Sequence, residues 1–130
     1  AALAGRPAHA IAREGVARTY QTSQLFGSMS VLDNIAIAHG RGVLGWPGWR
    51  GQRARRRAAA ARASAAAAFV GYRGDLARRA ADLPHVDRRL VEIARALVAD
   101  PQVLLLDEPA AGLSREDKAH LATLLRRIAD

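Results

Sequence analysis

Apolar and polar positions change rhythm several times along the chain. A short helix is expected over Pro7 to Glu14, because Pro7 suits a first helical position and Gly15 suits the left-handed residue just past the end. Val16-Ala17-Arg18-Thr19-Tyr20 alternates in side-chain character as a short strand does, and the polar Gln21-Thr22-Ser23-Gln24 reads as a loop. Ser30 followed by Asp33 is an N-cap pattern, with Val31, Leu32, Ile35 and Ala38 at helical spacing behind it. Gly40 to Gly51 carries five glycines, one proline and both tryptophans, and Trp46 and Trp49 flank a Pro47-Gly48 turn signal. Gln52 to Val70 then reads as a helix of Ala and Arg, with Phe69 and Val70 as its large apolar anchors. Gly71, Gly74 and the run Leu83-Pro84-His85 are breaks. The next helix is expected from about Asp87 to Val98. Leu90, Ile93, Ala94, Leu97 and Val98 form its apolar stripe, and Arg88, Arg89, Glu92 and Arg95 are its polar positions. Val103-Leu104-Leu105-Leu106 is a continuous apolar run, the pattern of a strand buried on both faces of a parallel sheet. A last helix follows Ser114, with Asp117 as capping partner and Leu121, Leu124, Leu125 and Ile128 as its inner stripe. Helices alternating with two short strands predict an α/β fold that is mostly helical.

Composition narrows the picture. The chain has 130 residues and is 50% hydrophobic and 25% charged, which suits one domain or a piece of one and excludes a disordered tail. Lys+Arg exceeds Asp+Glu by 20 − 12 = 8, and Lys118 is the only lysine. Aromatics are 5%, leaving few platforms on which bases could stack. The absence of cysteine excludes disulfides and thiol chemistry. No apolar run approaches the roughly 18 residues of a membrane span, and no leader peptide is expected from the first residues.

The chemistry gathers at the end of the apolar strand, where Asp107 and Glu108 stand together before Pro109. A parallel strand aims its C-terminal end at the ligand crevice of an α/β sheet. One carboxylate there can hold Mg²⁺ through water, and the next can orient or deprotonate a water attacking a phosphate, the Walker B arrangement. The bland reading is a buried strand whose Asp-Glu-Pro merely starts a turn. The flanks favour the first reading. Leu90 to Leu97, the connector Val98 to Gln102, Val103 to Pro109 and Ala110-Ala111-Gly112-Leu113-Ser114 together strongly resemble the ATPase subunits of ABC transporters. Ala17 to Phe26 is similar to their Q-loop region, and Ser30 to Ala38 to the start of their helical subdomain. Within that superfamily the Ala-Arg-Thr-Tyr-Gln run, the Ala-Ala-Gly-Leu run and the Trp-bearing, Arg-rich insertion most resemble the ATP-binding subunits of branched-chain amino acid importers.

The resemblance implies a partial ABC-type P-loop nucleotide-binding domain. About 1–29 would be the Q-loop region, about 30–86 the helical subdomain, and about 87–130 the signature helix, Walker B strand, D-loop and following helix. It implies ATP and Mg²⁺ as cofactors, with Gln21 and Asp107 reaching the metal and Glu108 polarising the water. Gly112, Leu113 and Ser114 would form a D-loop crossing to a second ATPase subunit, although Ser114 also suits a plain helix cap. Permease subunits would be the membrane partners, at the cytoplasmic face of a bacterial inner membrane. The departures concern the signature motif. Where relatives read Leu-Ser-Gly-Gly-Gln and contact the γ-phosphate of ATP on the opposite subunit, this chain reads Leu83-Pro84-His85-Val86-Asp87, so the resemblance implies Pro84, His85, Val86 and Asp87 as nucleotide-binding residues of a degenerate signature. Pro84 removes a hydroxyl and an N–H, Val86 adds bulk, and Asp87, read as the helix N-cap, places negative charge near a phosphate. There is no Gly-x-x-x-x-Gly-Lys-[Ser/Thr] run and no switch histidine, so the 130-residue chain alone is expected not to hydrolyse ATP. His120 is expected to be exposed on its helix, and His9, His39 and His85 lack metal-ligand spacing. The arginine cluster Arg50 to Arg57 has three readings: a solvated face, a contact to anionic lipid or permease loops, or a nucleic-acid surface without a recognisable motif. The competing functions are a non-catalytic basic module binding acidic partners or nucleic acid, and a fragment of another P-loop ATPase such as a DNA-repair relative.

Overall fold

A computed structural model describes residues 2–20, 24–39 and 49–130, without the side chains of 49 and 50. Helix α1, Ala8–Arg13, starts on Pro7 as its N-cap and ends before Gly15, whose φ is 86°. Strand β1, Val16–Arg18, pairs in parallel with β2, Val103–Leu105, in the register Val16↔Val103, Ala17↔Leu104 and Arg18↔Leu105. Gly15 is needed twice over. Its carbonyl accepts hydrogen bonds from the backbone N–H groups of Gln102 (2.7 Å) and Val103 (3.0 Å), which open the strand pairing. A Cβ there would meet the Gln102 side chain at 3.0 Å, in a backbone conformation that side chains disfavour.

Between the strands lies a helical layer. Helix α2, Val31–Ala36, is capped by Ser30, whose Oγ accepts from the Asp33 N–H at 3.0 Å as the pattern predicts. Asn34 is fully buried in α2, and its amide closes the preceding turn. Oδ1 accepts from the Phe26 N–H at 2.8 Å, and Nδ2 donates to the carbonyls of Phe26 and Ser30 at 3.0 and 2.9 Å. Helix α3 spans Trp49–Val70, three residues longer at its start than expected from Gln52. Its packed face is Ala63, Ala67 and Val70, all buried at a helical spacing of four and three. Phe69 is not the anchor the sequence suggested. It is 36% exposed and lies under the Arg127 guanidinium, 4.6 Å from its ring centre, because one residue's turn of about 100° sets it off the face of Ala63, Ala67 and Val70. Leu83 closes a short 3₁₀ turn, Ala80–Asp82.

Helix α4, His85–Val98, is the central post, with Val91, Ile93, Ala94 and Val98 buried against α2 and α3. It begins two residues before the expected Asp87, and its N-cap is Pro84, not Asp87. The break at Leu83-Pro84 already supplies the extended φ/ψ a cap needs, which leaves Asp87 inside the first turn. Helix α5, Arg115–Ala129, is capped by Ser114, whose Oγ accepts from the Asp117 N–H at 3.1 Å and donates to its carboxylate at 2.7 Å. Leu121 and Leu124 turn inward, and His120 is exposed as expected. Strand β2 corrects the expectation of burial on both faces: Val103 and Leu105 are 48% and 49% exposed. Alternate residues of a strand face opposite sides, and among the described residues only one face of this two-stranded sheet is covered by helices. No described helix is long and apolar enough to cross a membrane. Of the loop expected from Gly40 to Gly51, residues 40–48, with Trp46 and the Pro47-Gly48 turn, lie outside the described residues, and 49–51 belong to α3 instead.

Candidate functional site

The two carboxylates leave β2 in different ways. Asp107 stands one residue past the end of the strand, after Leu106, half-buried, and its Oδ2 accepts from the Arg18 guanidinium at 3.3 Å. Arg18 in turn lies over the Tyr20 ring, 5.2 Å from its centre. The parallel register causes this pairing, since Arg18 sits opposite Leu105, two residues before Asp107. Both side chains of the pair are about half exposed, so it contributes about 0–1 kcal/mol to stability and can open to a competing ligand. Glu108 is exposed and has φ 43°, a left-handed conformation that a non-glycine residue adopts at a cost of roughly 1 kcal/mol or more.

Sequence reasoning missed how α4 grips the segment after β1. Arg89 donates to the Tyr20 carbonyl at 2.9 Å. Glu92 accepts from the Gln24 N–H at 3.1 Å, and Arg95 donates to the Gln24 carbonyl at 2.9 Å. Arg89 and Glu92 are 6% and 4% exposed and form an ion pair at 3.3 Å, so two of the expected polar positions lie in the interior. Burial pushes the Arg95 guanidinium below its ordinary pKa, and Glu92 pulls it back up. Together the three side chains hold both flanks of residues 21–23. Gln21 itself lies outside the described residues. The available signal was the i, i+3, i+6 spacing of Arg89, Glu92 and Arg95, a charged stripe beside the apolar one. Arg18, Tyr20, Gln24, Glu92 and Arg95 line a cavity of about 290 Å³ between β1 and α4.

At the other end of α4 the structure brings the signature segment onto the loop before α5. His85 Nε2 is 3.0 Å from the Ala111 carbonyl oxygen. Gly112 has φ 74°, and a Cβ there would meet His85 Nε2 at 3.0 Å, so the glycine permits the imidazole's approach. Pro84 and His85 are exposed, while Val86 and Asp87 are half-buried and line a groove of about 490 Å³ with Leu113, Asp117 and His120. Asp87 also acts on Tyr72, whose phenol is pushed above its ordinary value of 10.0 by burial first and by this carboxylate second. Among the described residues no group of three His, Asp or Glu side chains could hold a metal ion.

Residues 3–111 match the family model described as ABC transporter. The chain is 35% identical to the high-affinity branched-chain amino acid transport ATP-binding protein LivG of Escherichia coli (strain K12), over 97% of this chain and 51% of that protein. It is 31% identical to the corresponding protein BraF of Pseudomonas aeruginosa, with the same coverage of 97% and 51%. The chain thus spans about half the length of the curated relatives it matches. A solved ATP-binding cassette of an ABC transporter, MJ1267, superposes with a TM-score of 0.70 at 24% identity, over 91% of this chain and 48% of that one. A second, the dimeric cassette MJ0796, superposes with a TM-score of 0.67 at 21% identity, over 89% of this chain and 47% of that one. At these identities the superpositions show the cassette fold alone.

Proposed function

The chain belongs to the ABC transporter family, and from that premise we propose that it forms the Q-loop to D-loop portion of an ATP-binding subunit that powers a membrane importer, with branched-chain amino acids as the transported class. The placement of Asp107 and Glu108 at the carboxyl end of β2, beside the Arg18–Tyr20 segment, carries the reading. The relatives named for branched-chain amino acid transport support the substrate class. ATP and Mg²⁺ are the cofactors of the complete subunit. Permease subunits and a second ATPase subunit are its partners, at the cytoplasmic face of the membrane.

The residues fit Mg²⁺ in one way. A lone carboxylate suits a metal that keeps its waters and takes its other ligands from phosphate oxygens. Asp107 is that carboxylate, and Arg18 must release it, which the weak, half-exposed pair allows. Bound there, the ion would neutralise charge on the transferring phosphoryl group. Glu108, exposed just past the strand end, orients and polarises the attacking water. Gln21 is assigned to the same water and metal, and α4 fixes the two ends of its loop. Gly112, Leu113 and Ser114 are assigned to the loop facing the second subunit, with Ser114 also serving as the α5 cap.

The residues at the start of α4 do not fit a phosphate. Pro84 offers no N–H, the His85 imidazole is engaged with Ala111, and Asp87 sets a negative charge in the first turn. No catalytic step is assigned to that face. The test uses a complete subunit carrying these residues. Asp107→Asn should weaken Mg²⁺-dependent nucleotide binding. Glu108→Gln should retain binding while turnover falls by about 10²-fold or more, the scale of a lost general base. Wild-type ATPase rates in Glu108→Gln would show that the carboxylate only builds a turn.

A further inference from the structure

Helix α3 is two helices in one. Its C-terminal half buries Ala63, Ala67 and Val70 against α2 and α4. Its N-terminal half, residues 51–58, is exposed at every position. That half carries Arg53, Arg55, Arg56 and Arg57, and the whole helix contains no acidic residue. Among the described residues no carboxylate pairs with any of these four arginines. Arg53, Arg56 and Arg57 stand at i, i+3 and i+4, so three like charges share one face, an arrangement that weakens an isolated helix. Repulsion kept in an exposed helix, with no internal relief, is removed when an external anion is supplied.

We propose that the exposed half of α3 is an electrostatic docking surface for an anionic phospholipid bilayer. The chemistry selects the occupant. Guanidinium groups take phosphate oxygens as bidentate partners. The stretch from Gly51 to Arg62 offers arginine, alanine and one glutamine, with no large apolar side chain to anchor in a protein groove. The helix has one aromatic residue at this end, Trp49 at its first position, where stacking of successive bases needs a series of rings. What remains is a partner that presents many phosphates and demands no register, which a fluid headgroup layer does. Apart from Trp49 at its first position this end of the helix carries no large apolar residue, and one such residue makes no apolar face, so the helix lies on the headgroups and does not insert. The function proposed above would set the chain beside a membrane but is silent on this surface, and nucleotide chemistry plays no part in the proposal.

The test is sedimentation of the 130-residue chain with vesicles. Phosphatidylcholine vesicles containing phosphatidylglycerol should carry the chain down, and pure phosphatidylcholine vesicles should not. Raising the salt to about 1 M, where the screening length falls to about 3 Å, should release it. Each arginine near such a surface is worth about fivefold in affinity, so Arg53→Gln, Arg56→Gln and Arg57→Gln together should lose about 100-fold. Glutamine keeps helix propensity, and circular dichroism checks that helix content is unchanged. A triple variant of equal charge elsewhere, Arg13→Gln, Arg115→Gln and Arg126→Gln, should lose less than tenfold by the same scale. Equal loss in both triple variants would reduce the effect to net charge and overturn the proposal. Absence of sedimentation with the phosphatidylglycerol vesicles would overturn it too. So would tighter binding to duplex DNA than to those vesicles, lost in the Arg53/Arg56/Arg57 variant, which would assign the surface to nucleic acid.

Discussion

Glu108 and Tyr72 show how single side chains carry conditions that contacts alone do not display. At φ 43° Glu108 sits where glycine would rest without strain. Glu108→Gly should therefore leave thermal stability unchanged or raise it by up to about 1 kcal/mol, and chemical denaturation of the chain measures this. The same substitution in the complete subunit should abolish turnover, separating a strained functional residue from a structural turn. Tyr72 is buried, donates its hydroxyl to the Asp75 carbonyl at 3.0 Å, and has its phenol pKa raised above 10.0. A phenol that keeps its proton more tightly when folded contributes stability that is fully present below pH 10.0 and is lost as pH climbs through the higher folded value. Melting temperature should fall as pH rises beyond 10.0, and Tyr72→Phe should flatten that fall. The variant should also lose about 1 kcal/mol at neutral pH with the hydrogen bond. Neither condition was legible in the sequence: a backbone dihedral and a desolvated phenol arise from the surroundings, and one residue's letter carries no record of them. The carboxylate pair itself was legible, because a strand end followed by Asp-Glu needs only local pattern.

At the scale of elements, most short-range signals agree with the structure, the cap expected at Asp87 excepted, where Pro84 takes the position. The Ser30 and Ser114 caps, the Gly15 and Gly71 stops and the inner stripe of α5 follow from short-range hydrogen bonding and helical period. Helix α4 departed from its pattern where the cause was distant. Arg89 and Glu92 look like solvent positions, and they are interior because partners 68 and 69 residues away in sequence accept and donate there. Removing one partner of a buried pair leaves the other charge uncompensated. Glu92→Ala should cost about 3–5 kcal/mol in urea unfolding. It should also speed hydrogen exchange at the Gln24 amide, whose acceptor is the lost carboxylate. A cost below about 1 kcal/mol with unchanged exchange would mean that water replaces the carboxylate and that α4 does not hold the loop. Strand β2 was misread for a related reason: an apolar run states what could be buried, and the number of layers around it is a property of the assembly.

At the scale of the molecule, a two-stranded parallel sheet with Val103 and Leu105 outward leaves apolar surface and strand edges open among the described residues. The chain alone should associate as concentration rises, which light scattering would report, and a sharply melting monomer above about 60 °C, hot for a mesophilic domain, would contradict this. The chain alone should also fail to turn over MgATP, because no phosphate loop cradles the β- and γ-phosphates. Hydrolysis by the purified chain, abolished by Glu108→Gln, would reverse that conclusion. The grip of α4 on Tyr20 and Gln24 sets a further condition, on length. Each added residue turns a helix by about 100° and advances it about 1.5 Å. One residue inserted between Arg89 and Glu92 would swing Glu92 and Arg95 off the loop while Arg89 stayed in place, tearing the grip in half. The same insertion among Arg53 to Arg57 would rotate charges in open solvent and disturb no packed neighbour. Insertions and deletions among homologous chains should therefore accumulate at the exposed end of α3 and be missing from α4, although both are long helices of one layer.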